Sequence, residues 1–193
     1  MGVPLLHRVP LLLVLLRAAL APVMVVLALF HPSGLAFGAC LVVAFLSDVY
    51  DGVIARRLGI ATAGLRRLDS AADSLFYVGA TFAVWHLRPE AILDRAAPLL
   101  VLGALEGFRY AFDLAKFRRE ASYHMWSSKL WGLCLFAGFL SLLAFGIDGA
   151  AASLMVYVGI VADIEGIAIS LALPRWQADV PTIAHALRLR RTS

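Results

Sequence analysis

Residues 35–55 read LAFGACLVVAFLSDVYDGVIA, and residues 68–87 read LDSAADSLFYVGATFAVWHL. Each stretch holds about 20 mostly apolar residues, the length that an α-helix needs to cross the hydrocarbon core of a bilayer. Only a short basic segment separates the two stretches. They therefore predict two antiparallel membrane helices joined by a tight connection.

The rest of the chain is also strongly apolar. Of its 193 residues, 62% are hydrophobic and only 16% are charged, whereas a typical soluble domain has about 25% charged residues. We predict an all-α integral membrane protein, a six-transmembrane-helix bundle that forms one membrane domain over residues 1–173, followed by a basic tail over residues 174–193. The predicted spans are residues 9–30, 35–55, 68–87, 97–115, 130–147 and 150–173.

The basic residues predict the orientation, because Lys and Arg are retained on the cytoplasmic side of a membrane. They concentrate in the second and fourth connections and in the tail, whereas the opposite side carries only Arg88 and Arg95. Both termini are therefore predicted to be cytoplasmic. The net charge of +4 indicates attraction to anionic lipid headgroups, so we expect the lipid bilayer and no nucleic acid as a partner.

Four aspartates lie at the facing ends of the two quoted stretches. Asp48 and Asp51 are three residues apart, and Asp69 and Asp73 are four apart, so each pair shares one face of its helix. Four carboxylates in one low-dielectric place repel one another, and Mg²⁺ or Mn²⁺ relieves that repulsion with the oxygen ligands that it prefers. The pattern predicts a site in which two divalent cations clamp a diphosphate during displacement at phosphorus.

The alternative is a set of interfacial salt bridges between these aspartates and the arginines of the connection, Arg56, Arg57, Arg66 and Arg67. Salt bridges account for charges near a membrane surface, but not for two acidic pairs at facing positions. Small residues favour the metal site, because Gly52 and Ala55 leave room for a nucleotide to approach the backbone. Arg56 adds bidentate donors for phosphate oxygens.

The run Asp48-Val-Tyr-Asp51-Gly52-Val-Ile-Ala55-Arg56, followed by Asp69-Ser-Ala-Ala-Asp73, resembles the signature of the CDP-alcohol phosphotransferase family. That signature reads D-x2-D-G-x2-A-R-x8-G-x3-D-x3-D, and all its fixed positions match except the second glycine. Leu65 takes the place of that glycine, and Gly64 lies one position earlier. A second segment, Arg17-Ala-Ala-Leu-Ala-Pro22, resembles the R-x4-P segment of bacterial members.

The resemblance implies a transferase of phospholipid biosynthesis. The enzyme is expected to transfer a phosphatidyl group from a CDP-linked lipid, CDP-diacylglycerol, to an alcohol acceptor and to release CMP. The location implied is a bacterial cytoplasmic membrane, with the active site at its cytoplasmic face. Dimerisation is common in the family, so a homodimer is left open.

The resemblance also implies a role for each residue of the motif. Asp48, Asp51 and Asp69 would bind the two divalent cations, Mg²⁺ or Mn²⁺. Asp73 would be the general base that deprotonates the alcohol, and it would also lie near a metal. The CDP group would be bound by residues of the first half of the motif, Asp51, Gly52, Ala55 and Arg56.

Two basic residues are candidates for the acceptor site. Family members with a phosphorylated acceptor hold its phosphate with basic residues in the region of Arg109 and Lys129, so the resemblance implies that these two line an acceptor pocket. A local ion pair with Glu106 is the alternative for Arg109. No residue selects among glycerol phosphate, inositol phosphate, inositol, serine and simpler alcohols as the acceptor.

Two acids in the sixth span, Asp163 and Glu165, need a partner or a function, because charge inside a membrane is costly. They are two residues apart and therefore point to different faces. One is a candidate partner for Arg17 or Arg109. The other is a candidate contact for acceptor hydroxyls or a cationic headgroup.

Two other functions use intramembrane acids. A prenyltransferase also binds a diphosphate through aspartate pairs and Mg²⁺, but it does not need Gly52-x2-Ala55-Arg56 between them. An ion or proton transporter would be expected to place its acids through the depth of the bilayer, whereas these four lie at one end. The motif favours the phosphotransferase because it fixes residue identity and spacing together.

Overall fold

The computed structural model describes residues 5–60, 62–119 and 123–191, which form helices and no β-strand. The all-α prediction is therefore confirmed for these residues. Residues 1–4, 61 and 120–122 of the predicted domain, and residues 192–193 of the predicted tail, lie outside them. The helices are α1 (Leu5–Phe30), α2 (Gly34–Arg57), α3 (Ala63–Leu87), α4 (Pro89–Leu93), α5 (Ala96–Phe117), α6 (Trp126–Phe139), α7 (Ala150–Ala172) and α8 (Ile183–Arg191), and α6 continues as a π-helical segment over Leu140–Ala144.

Four of the described helical stretches are long and apolar enough to cross a membrane. They are His7–Phe30, Gly34–Arg57, Trp126–Ala144 and Ala150–Ala172. Helices α3 and α5 have 25 and 22 residues, which is also long enough for a span. Neither is among the stretches that length and composition mark as spans. The count of six spans therefore stays a prediction.

The chain divides into two compact units. The first comprises Met1–Ala91 and Phe139–Ile147, and the second comprises Ile92–Gly138 and Asp148–Ser193. Within the first unit, α1 packs against both α2 and α3, and α2 also packs against the π-helical segment. Within the second unit, α7 packs against both α5 and α8.

The buried face of α1 explains why this helix is central to the first unit. Its buried residues recur every three or four positions, at Val14, Arg17, Ala21, Met24 and Ala28, which is the period of one face of an α-helix. Every member of this stripe is apolar except Arg17. The packing of α1 therefore carries one guanidinium into the interior of the unit.

Helix α2 has a matching stripe that ends in polar residues. It comprises Phe37, Leu41, Ala44, Ser47, Asp51 and Ala55. The sequence predicted that α2 and α3 would be direct neighbours. In the described residues both helices pack extensively against α1, and they approach each other where carboxylate oxygens of Asp48, Asp51 and Asp69 lie within 4.8 Å of one another. Their acidic ends therefore meet beside α1.

The connection between α2 and α3 is tight. Gly59 has a φ of +67°, a left-handed conformation that glycine adopts at low cost and that commonly ends a helix. The amide of Ile60 donates to the carbonyl of Ala55 over 3.0 Å. Helix α3 then begins with Thr62, whose hydroxyl accepts a hydrogen bond from the amide of Leu65 over 3.2 Å. This N-cap fixes where the third helix begins.

Gly79 allows α3 to approach α1 closely. A Cβ atom at this position would lie 2.7 Å from the backbone carbonyl oxygen of Ala21, and a backbone atom cannot move aside as a side chain can. We expect Gly79→Ala to lower the free energy of unfolding by about 1–3 kcal/mol, the usual cost of overpacking. Gly103→Ala in α5 is the matched control, because its Cβ would meet nothing within 4 Å. Chemical denaturation in detergent measures the free energy of unfolding of both variants. A value for Gly79→Ala equal to that of the wild type would contradict this account of Gly79.

Part of the predicted tail is an ordered helix. Val180 and Ala186 are fully buried, in a cluster with residues of α7 such as Ile169 and Ala172. Glu165 of α7 accepts a hydrogen bond from the amide of Ile183 over 3.3 Å, which satisfies one of the free donors at the start of α8. The basic tail therefore packs, through α8, against the end of α7.

Cysteine labelling tests the predicted topology. In a variant with Cys40 and Cys134 replaced by serine, we expect new cysteines at Arg57 and Arg119 to react with an impermeant maleimide only after intact cells are opened. New cysteines at Glu90 and Ile147 should react in intact cells. This pattern follows from the retention of basic residues in the cytoplasm. The reverse pattern would overturn the predicted orientation.

Candidate active site

The four predicted aspartates come together at one end of the first unit. Carboxylate oxygens of Asp48, Asp51 and Asp69 all lie within 4.8 Å of one another, and Asp73 joins them through a shared partner on α1. The side chain of Asp51 is only 5% exposed, whereas that of Asp48 is 46% exposed. The cluster is therefore closed at Asp51 and open to a ligand at Asp48.

The shared partner is Arg17, whose side chain is only 1% exposed. Its Nη1 lies 3.1 Å from an oxygen of Asp48 and 3.0 Å from an oxygen of Asp69, and it is also paired with Asp73. Its Nη2 is paired with Asp51. One guanidinium thus contacts every carboxylate of the motif.

The arginines of the α2–α3 connection do not serve as these partners. Among the described residues, no ion pair is found between the four aspartates and Arg56, Arg57, Arg66 or Arg67. The alternative of salt bridges to these arginines is therefore not the arrangement observed. The positive charge comes from within α1 instead.

Gly52 and Arg56 are neighbours on α2. A Cβ at Gly52 would lie 3.1 Å from Nη1 of Arg56, so the guanidinium of Arg56 rests against the bare backbone of Gly52. Ala55 is buried, whereas Arg56 is exposed. Because Gly52 has no side chain, the guanidinium of Arg56 can lie close to the backbone beside Asp51.

A scan of protein families matches residues 7–172 to the family described as CDP-alcohol phosphatidyltransferase. This range includes α1, both acidic pairs and most of the second unit. The chain belongs to the CDP-alcohol phosphatidyltransferase family. Searches of curated proteins and of solved structures found no match. Members of this family transfer a phosphatidyl group from a CDP-alcohol to an acceptor, and they are generally dependent on divalent cations.

The departure from the CDP-alcohol phosphatidyltransferase signature lies in the first turn of α3. Leu65, at the position of the second glycine, is half-buried, and its amide donates to the N-cap Thr62. A Cβ at Gly64 would meet nothing within 4 Å. Among the described residues, none therefore makes a close contact at Gly64, and the leucine is accommodated in the capped first turn.

Arg109 pairs with α7 rather than with its own helix. Its Nη1 lies 3.0 Å from Oδ1 of Asp163, which is fully buried. Asp163 is one of the candidate partners for Arg109, and the local pair with Glu106, the alternative, is not the one observed. A Cβ at Gly166 would lie 2.8 Å from Cδ of Arg109, which shows that this glycine admits the arginine. Asp163 is thus the acid that pairs with Arg109.

The other acceptor candidates have separate environments within the second unit. Nζ of Lys129 lies 4.4 Å from the ring centroid of Trp126, a cation–π contact. Glu165, a candidate for contact with the acceptor or a headgroup, instead accepts the amide of Ile183. The contacts of Glu165 therefore indicate a structural role in holding α8.

The second unit also contains a buried polar cluster that was not predicted from the sequence. The hydroxyl of Tyr123 lies 2.9 Å from that of Ser170 and 3.5 Å from a carboxylate oxygen of Asp113. Burial raises the pKa of Tyr123 above its ordinary value, so its hydroxyl keeps the proton that it donates. Lys116 donates to the carbonyl of Ser170 over 2.7 Å. These contacts tie α5 and the segment before α6 to the end of α7.

Proposed function

We propose that this protein transfers a phosphatidyl group from CDP-diacylglycerol to an alcohol and releases CMP, using two divalent cations held by Asp48, Asp51, Asp69 and Asp73. Family membership supports the class of reaction. The convergence of four carboxylates supports the cation site. The acyl chains of the donor would remain in the bilayer while its cytidine faces the cytoplasm.

The donor set fits Mg²⁺ or Mn²⁺. It consists of carboxylate oxygens, the hard ligands that these ions prefer, and three of the four acids already have oxygens within 4.8 Å of one another. When bound, the cations would neutralise charge that develops on the diphosphate and on the departing CMP.

Asp73 is proposed as the general base. Its side chain is 37% exposed, so an acceptor hydroxyl can reach it from outside the unit. Asp73 would take the hydroxyl proton as the acceptor oxygen bonds to the lipid-linked phosphorus. The bond from that phosphorus to the bridging oxygen of the diphosphate then breaks, and CMP leaves with that oxygen. A positioned base of this kind contributes about 10²–10⁴-fold to a rate.

The CDP group is proposed to bind beside the first acidic pair. Gly52 leaves the backbone of α2 uncovered except by the guanidinium of Arg56, which is the end of a flexible side chain and can turn toward phosphate oxygens. Arginine is suited to this contact because its donors match phosphate geometry in pairs. Arg109 and Lys129 are proposed to hold the acceptor.

The observation that carries this proposal is the meeting of all four motif carboxylates at one place. The test is to incubate the purified protein with CDP-diacylglycerol and a panel of alcohols in Mg²⁺, Mn²⁺ or EDTA, and to measure CMP. We expect CMP release that requires a divalent cation and one alcohol of the panel. Turnover of a prenyl diphosphate without any cytidine nucleotide would favour the prenyltransferase alternative.

A further inference from the structure

Arg17 lies at the centre of the aspartate cluster. Its Nη1 contacts more carboxylates than it has hydrogens to donate. Nη1 carries two hydrogens, yet carboxylates of Asp48, Asp69 and Asp73 all lie within hydrogen-bonding distance of it. Two hydrogens cannot serve three carboxylates equally well. Nη1 therefore lies where a cation with several oxygen ligands would lie.

The other two nitrogens of the Arg17 guanidinium contact residues of α2. Nη2 donates to Asp51, and Nε lies 3.4 Å from the hydroxyl of Ser47. Ser47 and Asp51 both belong to the buried stripe of α2, and Arg17 belongs to the buried stripe of α1. The position of Arg17 thus follows from the packing of the two helices, and it is not a chance contact of an exposed side chain.

The cluster contains more carboxylates than positively charged groups. One guanidinium faces four carboxylates, and like charges at this spacing repel strongly where the dielectric constant is low. Arg17 relieves part of that repulsion and leaves the rest for a further cation. Such a cation would need carboxylate oxygens, and Nη1 already contacts one oxygen of each of Asp48, Asp69 and Asp73.

We propose that Arg17 is the built-in counterion of the cation-free site, and that a divalent cation binds by taking oxygens of Asp48, Asp69 and Asp73 from its Nη1. This inference rests on the proposed function for the presence of the cations. Arg17 then acts as a positioning residue. It holds the four acids together before the cation arrives, and by competing for them it lowers the affinity of the site for the cation.

The test is the affinity of the purified full-length protein for Mn²⁺, measured without substrate by electron paramagnetic resonance of the free ion. We expect Arg17→Gln to bind Mn²⁺ more tightly than the wild type, on the order of tenfold, a usual size for coupling between two binding events. Arg8→Gln is the matched control, because Arg8 is an exposed arginine of the same helix, and its affinity should not change.

Thermal unfolding supplies a second readout. In EDTA, Arg17→Gln should unfold at a lower temperature than the wild type because its four carboxylates lack their counterion. Saturating Mn²⁺ should raise that temperature more in the variant than in the wild type. Arg17→Lys keeps the charge on a single nitrogen with a different reach, so it should remain folded in EDTA and show a smaller gain in Mn²⁺ affinity.

The outcomes separate this inference from the proposed function. If the wild type binds Mn²⁺ and both Arg17 variants bind it equally or more weakly, Arg17 does not compete with the cation and the inference is overturned. If the wild type binds no Mn²⁺, and Asp69→Asn behaves identically, the cation site itself fails and the inference fails with it. Tighter binding by Arg17→Gln and Arg17→Lys would support the competition.

Discussion

Asp69→Asn is expected to abolish CMP release from CDP-diacylglycerol. The substitution keeps the size of the side chain but removes a charge from a cluster whose oxygens lie within 4.8 Å of one another. A neutral amide oxygen is a poorer ligand for a hard divalent cation than a carboxylate. Asp48→Asn and Asp51→Asn should have the same effect. The measurement is CMP formed over time, with Mn²⁺ or Mg²⁺ varied over a wide range for each variant.

Asp94→Asn is the matched control for these three variants, because Asp94 is exposed and lies outside the cluster. The control should release CMP at the wild-type rate. Addition of EDTA to the wild type should also stop the reaction, and Mg²⁺ or Mn²⁺ should restore it. Full activity in the chelator would contradict the assignment of these aspartates as metal ligands.

Asp73→Asn is expected to separate chemistry from binding. Loss of a positioned base should slow turnover by about 10²–10⁴-fold. The remaining three carboxylates should still hold the cations and the diphosphate. A binding assay with CDP-diacylglycerol should therefore saturate near wild-type concentrations. Near-normal turnover would remove the base assignment, and loss of donor binding would make Asp73 primarily a metal ligand.

Arg109→Ala gives a contrast with Asp73→Asn. If Arg109 holds the acceptor, its loss should raise the acceptor KM and leave donor binding unchanged. The substitution also leaves the buried carboxylate of Asp163 without its partner, which is itself destabilising. The double variant Arg109→Ala/Asp163→Ala removes both charges. A raised acceptor KM in both variants would support a role in acceptor binding, and a normal KM in the double variant would contradict it.

The spacing of the acids was enough to predict where the site lies. Residues three or four apart share a helix face, so Asp48, Asp51, Asp69 and Asp73 were predicted to converge across a short connection, and their carboxylates do meet. The prediction did not require knowledge of how the helices pack. It depended only on helix periodicity and on the length of the connection.

The role of Arg17 was harder to predict because it depends on packing between helices that are distant in sequence. Arg17 is 56 residues from Asp73, and nothing local to it indicates an acidic partner. One signal was present. Arg17 lies in register with Val14, Ala21 and Met24 on the buried stripe of α1, and an arginine on a buried stripe must meet buried acids or other acceptors.

The second unit was predicted less well for the same reason. Glu106 was the nearest acid to Arg109 in the sequence, but the partner observed is Asp163 on another helix. The structure of the tail could not be predicted either, because its basic composition is compatible with disorder or with a surface helix. The contacts of Val180 and Ala186 with α7, and the hydrogen bond from Ile183 to Glu165, show that it packs.

The central claim is that cation-dependent chemistry occurs at the lipid-linked phosphorus. The most direct test uses CDP-diacylglycerol labelled with ³²P at that phosphorus, incubated with the purified protein, Mn²⁺ and each alcohol of the panel. The account predicts that one alcohol transfers the label to a new lipid while an equal amount of unlabelled CMP forms, and that Asp69→Asn forms neither product. Label recovered in the nucleotide, or equal transfer by Asp69→Asn, would contradict it.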